Sequence, residues 1–243
     1  MRHHNGCAAV VGGARDVRVL ASLRDGADVV ASGRFFPLPF PVNKLRGFVM
    51  NPDFRWSLRE ILIVAVLGAV FAILYLGWVQ VWLIAQAIFG AVTMDVVMGF
   101  WVIVSIIAAP IIRKPGAALL SELLAAAIQI LLGSPAGLLL LVTGLVQGAG
   151  AEAVFAATRW RNYSLPVLML AGVGASVFSF VYTWFLYDYG ALAPGLLVVM
   201  FVLRCLSGAI LGGLAGYFIV RALYRTGVLS GLKIDHDMRA ARA

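Results

Sequence analysis

Three ionisable side chains sit where the chain is otherwise lipid-soluble: Glu122 in RKPGAALLSELLAAAIQILLGSP, Glu152 in GLVQGAGAEAVFAATRWR and Arg204 in RCLSGAILGGL. An ionisable group in a membrane span costs roughly 2.5–3.5 kcal/mol on insertion scales, so it is a functional-site candidate by default. Two acids and one base leave one negative charge if both acids ionise. Arg204 can hold one carboxylate in a fork-like pair. The other must be protonated, solvated or neutralised by something that arrives, because a buried unpaired charge is expensive. A monocationic ligand would do it. Glu122 lies nine residues from Arg113, about 13 Å along a helix. Glu152 lies seven residues from Arg159, and Arg204 is near the middle of its run. All three are expected to meet at middle depth, with the choice of carboxylate for Arg204 left open.

Uncharged polar groups add to a cavity. Glu122 and Gln129 share one helix face, flanked by Ser121, Ala125 and Ala126. Thr143 and Gln147 share another, between Gly144, Gly148 and Gly150. Glycines there let helices approach closely or leave room for a ligand. Aromatics gather toward one set of helix ends: Tyr75, Trp78 and Trp82, then Phe100 and Trp101, then Tyr182, Trp184, Tyr187 and Tyr189. An interfacial belt accounts for most of them. Trp78 and Trp101, beside Gln80 and Gly99, also suit a cage for a flat or cationic ring. No other chemistry is visible. Cys7 and Cys205 make no framework, His3, His4 and His236 lie outside the apolar runs, and HExxH, GxSxG and GxxxxGK[ST] are absent. The residues point to a pocket for a small organic cation with an aromatic ring, and to binding rather than catalysis.

These side chains need a membrane scaffold. The chain is 62% hydrophobic and 12% charged, where soluble domains carry roughly 25% charged residues. The formal charge of +8 does not form one run. The basic residues stand at the ends of apolar segments, where they set topology and do not mark a nucleic-acid binder. Runs long enough for a bilayer, about 20 residues, predict six spans: Leu58–Val81, Val96–Ile112, Ala117–Leu132, Ala136–Thr158, Leu165–Tyr187 and Leu196–Leu223. Lys and Arg occupy alternate connections only. That pattern predicts an all-α, multi-pass plasma-membrane protein with both termini cytoplasmic. The apolar segment 82–95 reads either as a lid over the outer mouth or as a longer first helix with a tight turn. Residues 1–49 read as a disordered extension or as an over-long start ahead of Met50, residues 50–230 as the membrane domain, and residues 231–243 as a cytoplasmic tail.

The pieces IIRKPGAALLSELLAA, QILLGSPAG, GLVQGAGAEAVFAATRWR, RCLSGAILGGL and RTGVL resemble the YkoE family, in the same order from about Trp56 to Leu229. Its members are substrate-binding (S) subunits of energy-coupling-factor (ECF) ABC transporters. The resemblance implies a six-helix S-component fold and uptake of thiamine or its hydroxymethylpyrimidine precursor. It also implies docking on a transmembrane T subunit coupled to ATPase subunits. An AxxxA pattern, here Ala65 and Ala69, would mark that docking face. The ligand contacts expected are Glu122, Glu152, Gln129, Gln147, Trp78, Gln80, Trp101, Tyr182, Trp184 and Tyr187, with Arg204 in a structural ion pair; no cofactor or metal is expected. Two other readings stay open: a protein whose Glu/Arg triad is only a packing device, and an intramembrane enzyme acting on lipid-like substrates.

Overall fold

The computed structural model describes residues 55–90, 92–232 and 234, which are helical with no strand among them. The expectations for residues 1–49, and for the tail beyond 232 apart from Ile234, lie outside the described residues. The helices are α1 (Leu58–Phe89), α2 (Thr93–Val97), α3 (Ile103–Ile112), α4 (Ala117–Leu131), α5 (Leu139–Ala157), α6 (Leu165–Leu186), α7 (Pro194–Ser207) and α8 (Ala215–Arg225). A 3₁₀ stretch, Met98–Val102, joins α2 to α3, and a π-turn, Gly208–Leu214, joins α7 to α8. Thr93–Ile112 and Pro194–Arg225 are therefore single spans, and with the shorter α4 the apolar helices among the described residues number six.

Most span ends fall within three residues of those read from the sequence. The exception is α1. Nothing in VWLIAQAIF breaks a helix, so α1 continues to Phe89 and stops only where Gly90 takes φ 76. The lid reading of 82–95 is thus corrected to a longer helix with a tight turn. At 32 residues α1 is about 48 Å long, more than the roughly 30 Å of hydrocarbon.

The basic connections form one end of the bundle. Ser57 caps α1 in a box with Glu60: its amide donates to Glu60 Oε2 at 2.7 Å, and its hydroxyl accepts from Glu60 N at 3.3 Å. The same Glu60 oxygen takes Lys114 Nζ at 2.6 Å, tying α1 to the α3–α4 turn. Arg59 donates to the Ser230 carbonyl at 2.8 Å, joining the chain after α8 to the start of α1. The second span is the central one: 78% of its apolar window is buried, against 28% for α1.

Close backbone approach holds the far side together. A Cβ on Gly172 would meet the carbonyl of Gly208, and one on Gly99 would meet that of Ser207. Glycine is the residue that leaves room there. The contact brings α6, the 3₁₀ stretch and the π-turn against one another, and Gly99 N donates to Ser207 Oγ at 2.9 Å.

Arg204 lies inside this packing. Its Nε donates to Asp95 Oδ1 at 2.6 Å, and both side chains are fully buried. Nη1 donates to Thr183 Oγ1 at 2.6 Å, and the guanidinium lies 5.2 Å from the centre of the Phe180 ring. The partner of Arg204 is therefore Asp95 and not Glu122 or Glu152. The long α1 and its tight turn start the second span at Thr93, which carries Asp95 into the bundle beside α7.

Two predictions follow from this packing. Gly172→Ala drives a methyl into backbone that cannot rotate away, and overpacking of this kind costs about 1–3 kcal/mol or more. Its thermal midpoint in detergent should fall by several degrees. Gly77→Ala, with nothing within 4 Å of the new Cβ, should hold or raise it. Asp95→Asn strands a buried guanidinium, at about 3–5 kcal/mol. The same melting assay should show a larger loss than for Gly172→Ala, with recovery when Arg204→Met is added. Equal midpoints for Asp95→Asn and the parent would remove the pair from the account of stability.

Candidate functional site

A cavity of about 330 Å³ opens among α1, α2, α4, α5 and the end of α6, toward the end of the bundle whose connections lack Lys and Arg. Tyr75, Val79, Trp82 and Leu83 reach it from a single face of α1. Met94 and Trp101 come from the second span. Glu122, Ala126 and Gln129 come from one face of α4, and Thr143, Gly144 and Gln147 from one face of α5. Ser134, Pro135, Ala136 and Tyr187 lie around the rim.

Glu122 is the α4 lining residue nearest the basic end, and it is 4% exposed. One carboxylate oxygen accepts from the Ser105 hydroxyl at 2.6 Å. Among the described residues it has no ion-pair partner. Gln129 Nε2 donates to its own helix at Ala125 O, 3.3 Å, and Gln147 Nε2 donates to Ser179 Oγ at 3.3 Å. The carbonyl oxygen of each amide has no hydrogen-bond partner among the described residues. Tyr75 is fully buried, and its oxygen accepts from Val104 N at 3.1 Å. Trp82 meets Trp101 edge to face with centroids 6.1 Å apart, and the Trp82 indole N–H has no partner among the described residues. The walls are thus aromatic and apolar, with a carboxylate deep on one side and two anchored amides beside it. Sites for small ligands have this make-up.

The structure brings together only some of the expected residues. Glu122, Gln129, Gln147, Trp101 and Tyr187 line the cavity. Glu152 does not: it caps α4 at the basic end. Oε1 accepts from Gly116 N at 2.7 Å and from Trp160 Nε1 at 2.6 Å, while Oε2 accepts from Ala118 N at 3.0 Å and Leu119 N at 3.4 Å. Helix N-termini offer unpaired N–H groups and favour an anion. The meeting of Glu122, Glu152 and Arg204 at one depth is therefore corrected, since the three make separate partnerships. Trp78 stacks on Phe100 at 4.3 Å between centroids instead of lining the cavity. Gln80 is exposed, Tyr182 is half-buried outside the lining, and Trp184 meets Phe180 edge-on at 6.2 Å. Gly148 is a packing glycine, because a Cβ there would press on Leu119 and on Glu122 Cβ.

Tyr75 and Trp82 were missed as site residues because they read as part of an interfacial belt. Their spacing with Val79 and Leu83 carried the signal, since those four positions fall on one helical face. Ser105, the hydroxyl on Glu122, had no signal beyond being a polar residue in an apolar run.

Comparison with known proteins agrees with this architecture. Residues 59–178 match the family model for the permease component of an ABC-type cobalt transport system. The putative HMP/thiamine permease protein YkoE of Bacillus subtilis (strain 168) is 49% identical over 187 residues, spanning 77% of this chain and 94% of the relative. A crystal structure of an S-component of an ECF transporter superposes with a TM-score of 0.75 at 48% identity, over 77% of this chain and 95% of that one. An identity near one half, sustained through a shared bundle of membrane helices, places this chain in the YkoE family of ECF-transporter S-components, which are transport subunits and not enzymes.

Proposed function

We infer that this protein captures thiamine, or its hydroxymethylpyrimidine fragment, in the Glu122 cavity and delivers it through an ECF importer. The observation that carries the reading is a buried carboxylate with no cationic partner among the described residues, set in a wall of aromatic rings. Thiamine joins a permanently cationic thiazolium to a flat aminopyrimidine. The thiazolium supplies the counter-charge that no described side chain gives Glu122, and Trp82, Trp101, Tyr75 and Tyr187 supply faces for flat rings and for cation–π attraction. The amides of Gln129 and Gln147 suit the donor and acceptor edge of the pyrimidine. A cavity of about 330 Å³ falls in the range of small-ligand sites, about 300–1,000 Å³. The names of the relatives, an HMP/thiamine permease and an S-component, support the same substrate class and role.

The basic end faces the cytoplasm in this reading, by the positive-inside rule, so both termini are inside and the cavity opens outward. The T subunit docks on the lipid-facing side of α1. Ala65 and Ala69 are half-buried there between the exposed Leu62, Val66, Val70 and Ile73. Small residues four apart let a partner helix come close.

Titration calorimetry on the purified subunit without ATP should show thiamine binding. Glu122→Gln should weaken thiamine by about 10- to 100-fold, the worth of a hydrogen bond to a charged group, while a neutral pyrimidine loses little. Equal losses for the two ligands would defeat the charge-matching argument, and no heat with either would defeat the substrate. Glu152→Gln serves as the contrast: it should lower the thermal midpoint, since it weakens a cap worth about 1 kcal/mol, and leave thiamine affinity unchanged.

A further inference from the structure

A second cavity, of about 310 Å³, lies at the basic end. Arg113 enters it from the turn after α3, Tyr163 from the α5–α6 connection, and Arg221, Tyr224 and Arg225 from α8, over an apolar base that includes Leu168. Nothing in vitamin capture at the other end calls for this site.

The positive-inside rule accounts for basic residues at this end, and Arg55, Arg59, Arg159 and Arg161 need no more than that. It does not account for three guanidiniums, from segments more than a hundred positions apart in sequence, around one concavity. Arg221 and Arg225 are a like-charged pair one helical turn apart, a spacing unfavourable to the helix itself. Both are exposed, and no ion pair or hydrogen bond relieves their side chains among the described residues. The described acids at this end are already committed. Glu60 holds Lys114, and both oxygens of Glu152 are taken by α4 amides and by Trp160. No Asp or Glu stands among the described lining residues.

Arg113 is anchored. Its Nε donates to Pro110 O at 3.1 Å, and its guanidinium carbon lies 5.1 Å from the centre of the Tyr163 ring. The Tyr163 hydroxyl is buried beside it without a partner among the described residues. Burial pushes that phenol above its usual range, with Arg113 pulling it down and Glu152 pushing it further up, so it stays an O–H donor at neutral pH. Planar guanidinium forks and phenols around a concave wall match the several non-bridging oxygens of a tetrahedral phosphate group.

We propose that the cavity walled by Arg113, Arg221, Arg225 and Tyr163 binds a phosphate group. Two sources carry that chemistry, an anionic phospholipid headgroup at the membrane surface and a soluble phosphate ester.

Native mass spectrometry of the full chain in detergent would use dioctanoyl phosphatidylglycerol against dioctanoyl phosphatidylcholine. A parallel thermal-shift titration would use phenyl phosphate. Preference for phosphatidylglycerol alone assigns a lipid headgroup, and a shift with phenyl phosphate assigns a soluble ester. In either case Arg221→Gln/Arg225→Gln should weaken binding by about tenfold or more, the scale of losing one charge-assisted hydrogen bond. Both residues are exposed, so the variant should keep the parent's circular dichroism and thermal midpoint. The wild-type titrations stand whether or not it does. The proposal is overturned if the wild type shows neither preference nor shift, or if the folded double variant binds as the wild type does.

Discussion

Water cannot follow a charge into a bilayer, so each ionised side chain in a span must find its counter-group inside the protein or go without. That constraint arranges this molecule. Asp95 and Arg204 cancel one another with both side chains out of contact with solvent. Glu152 is met by three helix-terminal amides and an indole. Glu60 is met by Lys114. Glu122 is the described acid in the bundle interior that is met by a hydroxyl and not by a cation or a helix terminus. It is also the one that borders the cavity on the Arg-free side. Among the described acids, Asp95, Glu152 and Glu60 are closed off by cations or helix-terminal amides, and Glu122 is not.

The helix packing makes those separate partnerships possible. Gly172, Gly99 and Gly208 allow backbone against backbone, which brings the second span and α7 close enough for Asp95 and Arg204 to meet at 2.6 Å. The π-turn at Gly208–Leu214 is the local adjustment that accompanies the contact; wide turns of this kind recur at functional positions in helices. On the opposite side, Gly144 and Gly148 bring α4 and α5 together along the flank of Glu122, where a Cβ would press on its backbone or side chain. The glycines on α5 thus set where the carboxylate stands more than they open space for a ligand.

Span positions were legible because their causes are local: apolar length, a glycine or proline at the end, a basic residue beyond it. The partners were not. A second span that begins at Val96 leaves Asp95 one residue outside it, and with that acid uncounted Glu122 and Glu152 are the carboxylates left for Arg204. The structure starts the span at Thr93. Glu152 misled for a different reason. The amides it caps are 33 to 36 positions earlier in the chain, and nothing near Glu152 announces them. Among the aromatics, grouping by depth favoured Trp78, whereas grouping by helical face would have chosen Tyr75 and Trp82. Depth sorts residues for the membrane, and face sorts them for the cavity.

The two ends of the bundle now differ in kind. One cavity presents a carboxylate among aromatic rings, and the other presents guanidiniums among phenols. Opposite charges in a low-dielectric body are felt over longer distances than in water. The two ends present different side-chain chemistry to anything that reaches them. An acid that would cost stability in an ordinary membrane bundle is tolerable here because the Ser105 hydroxyl donates to it.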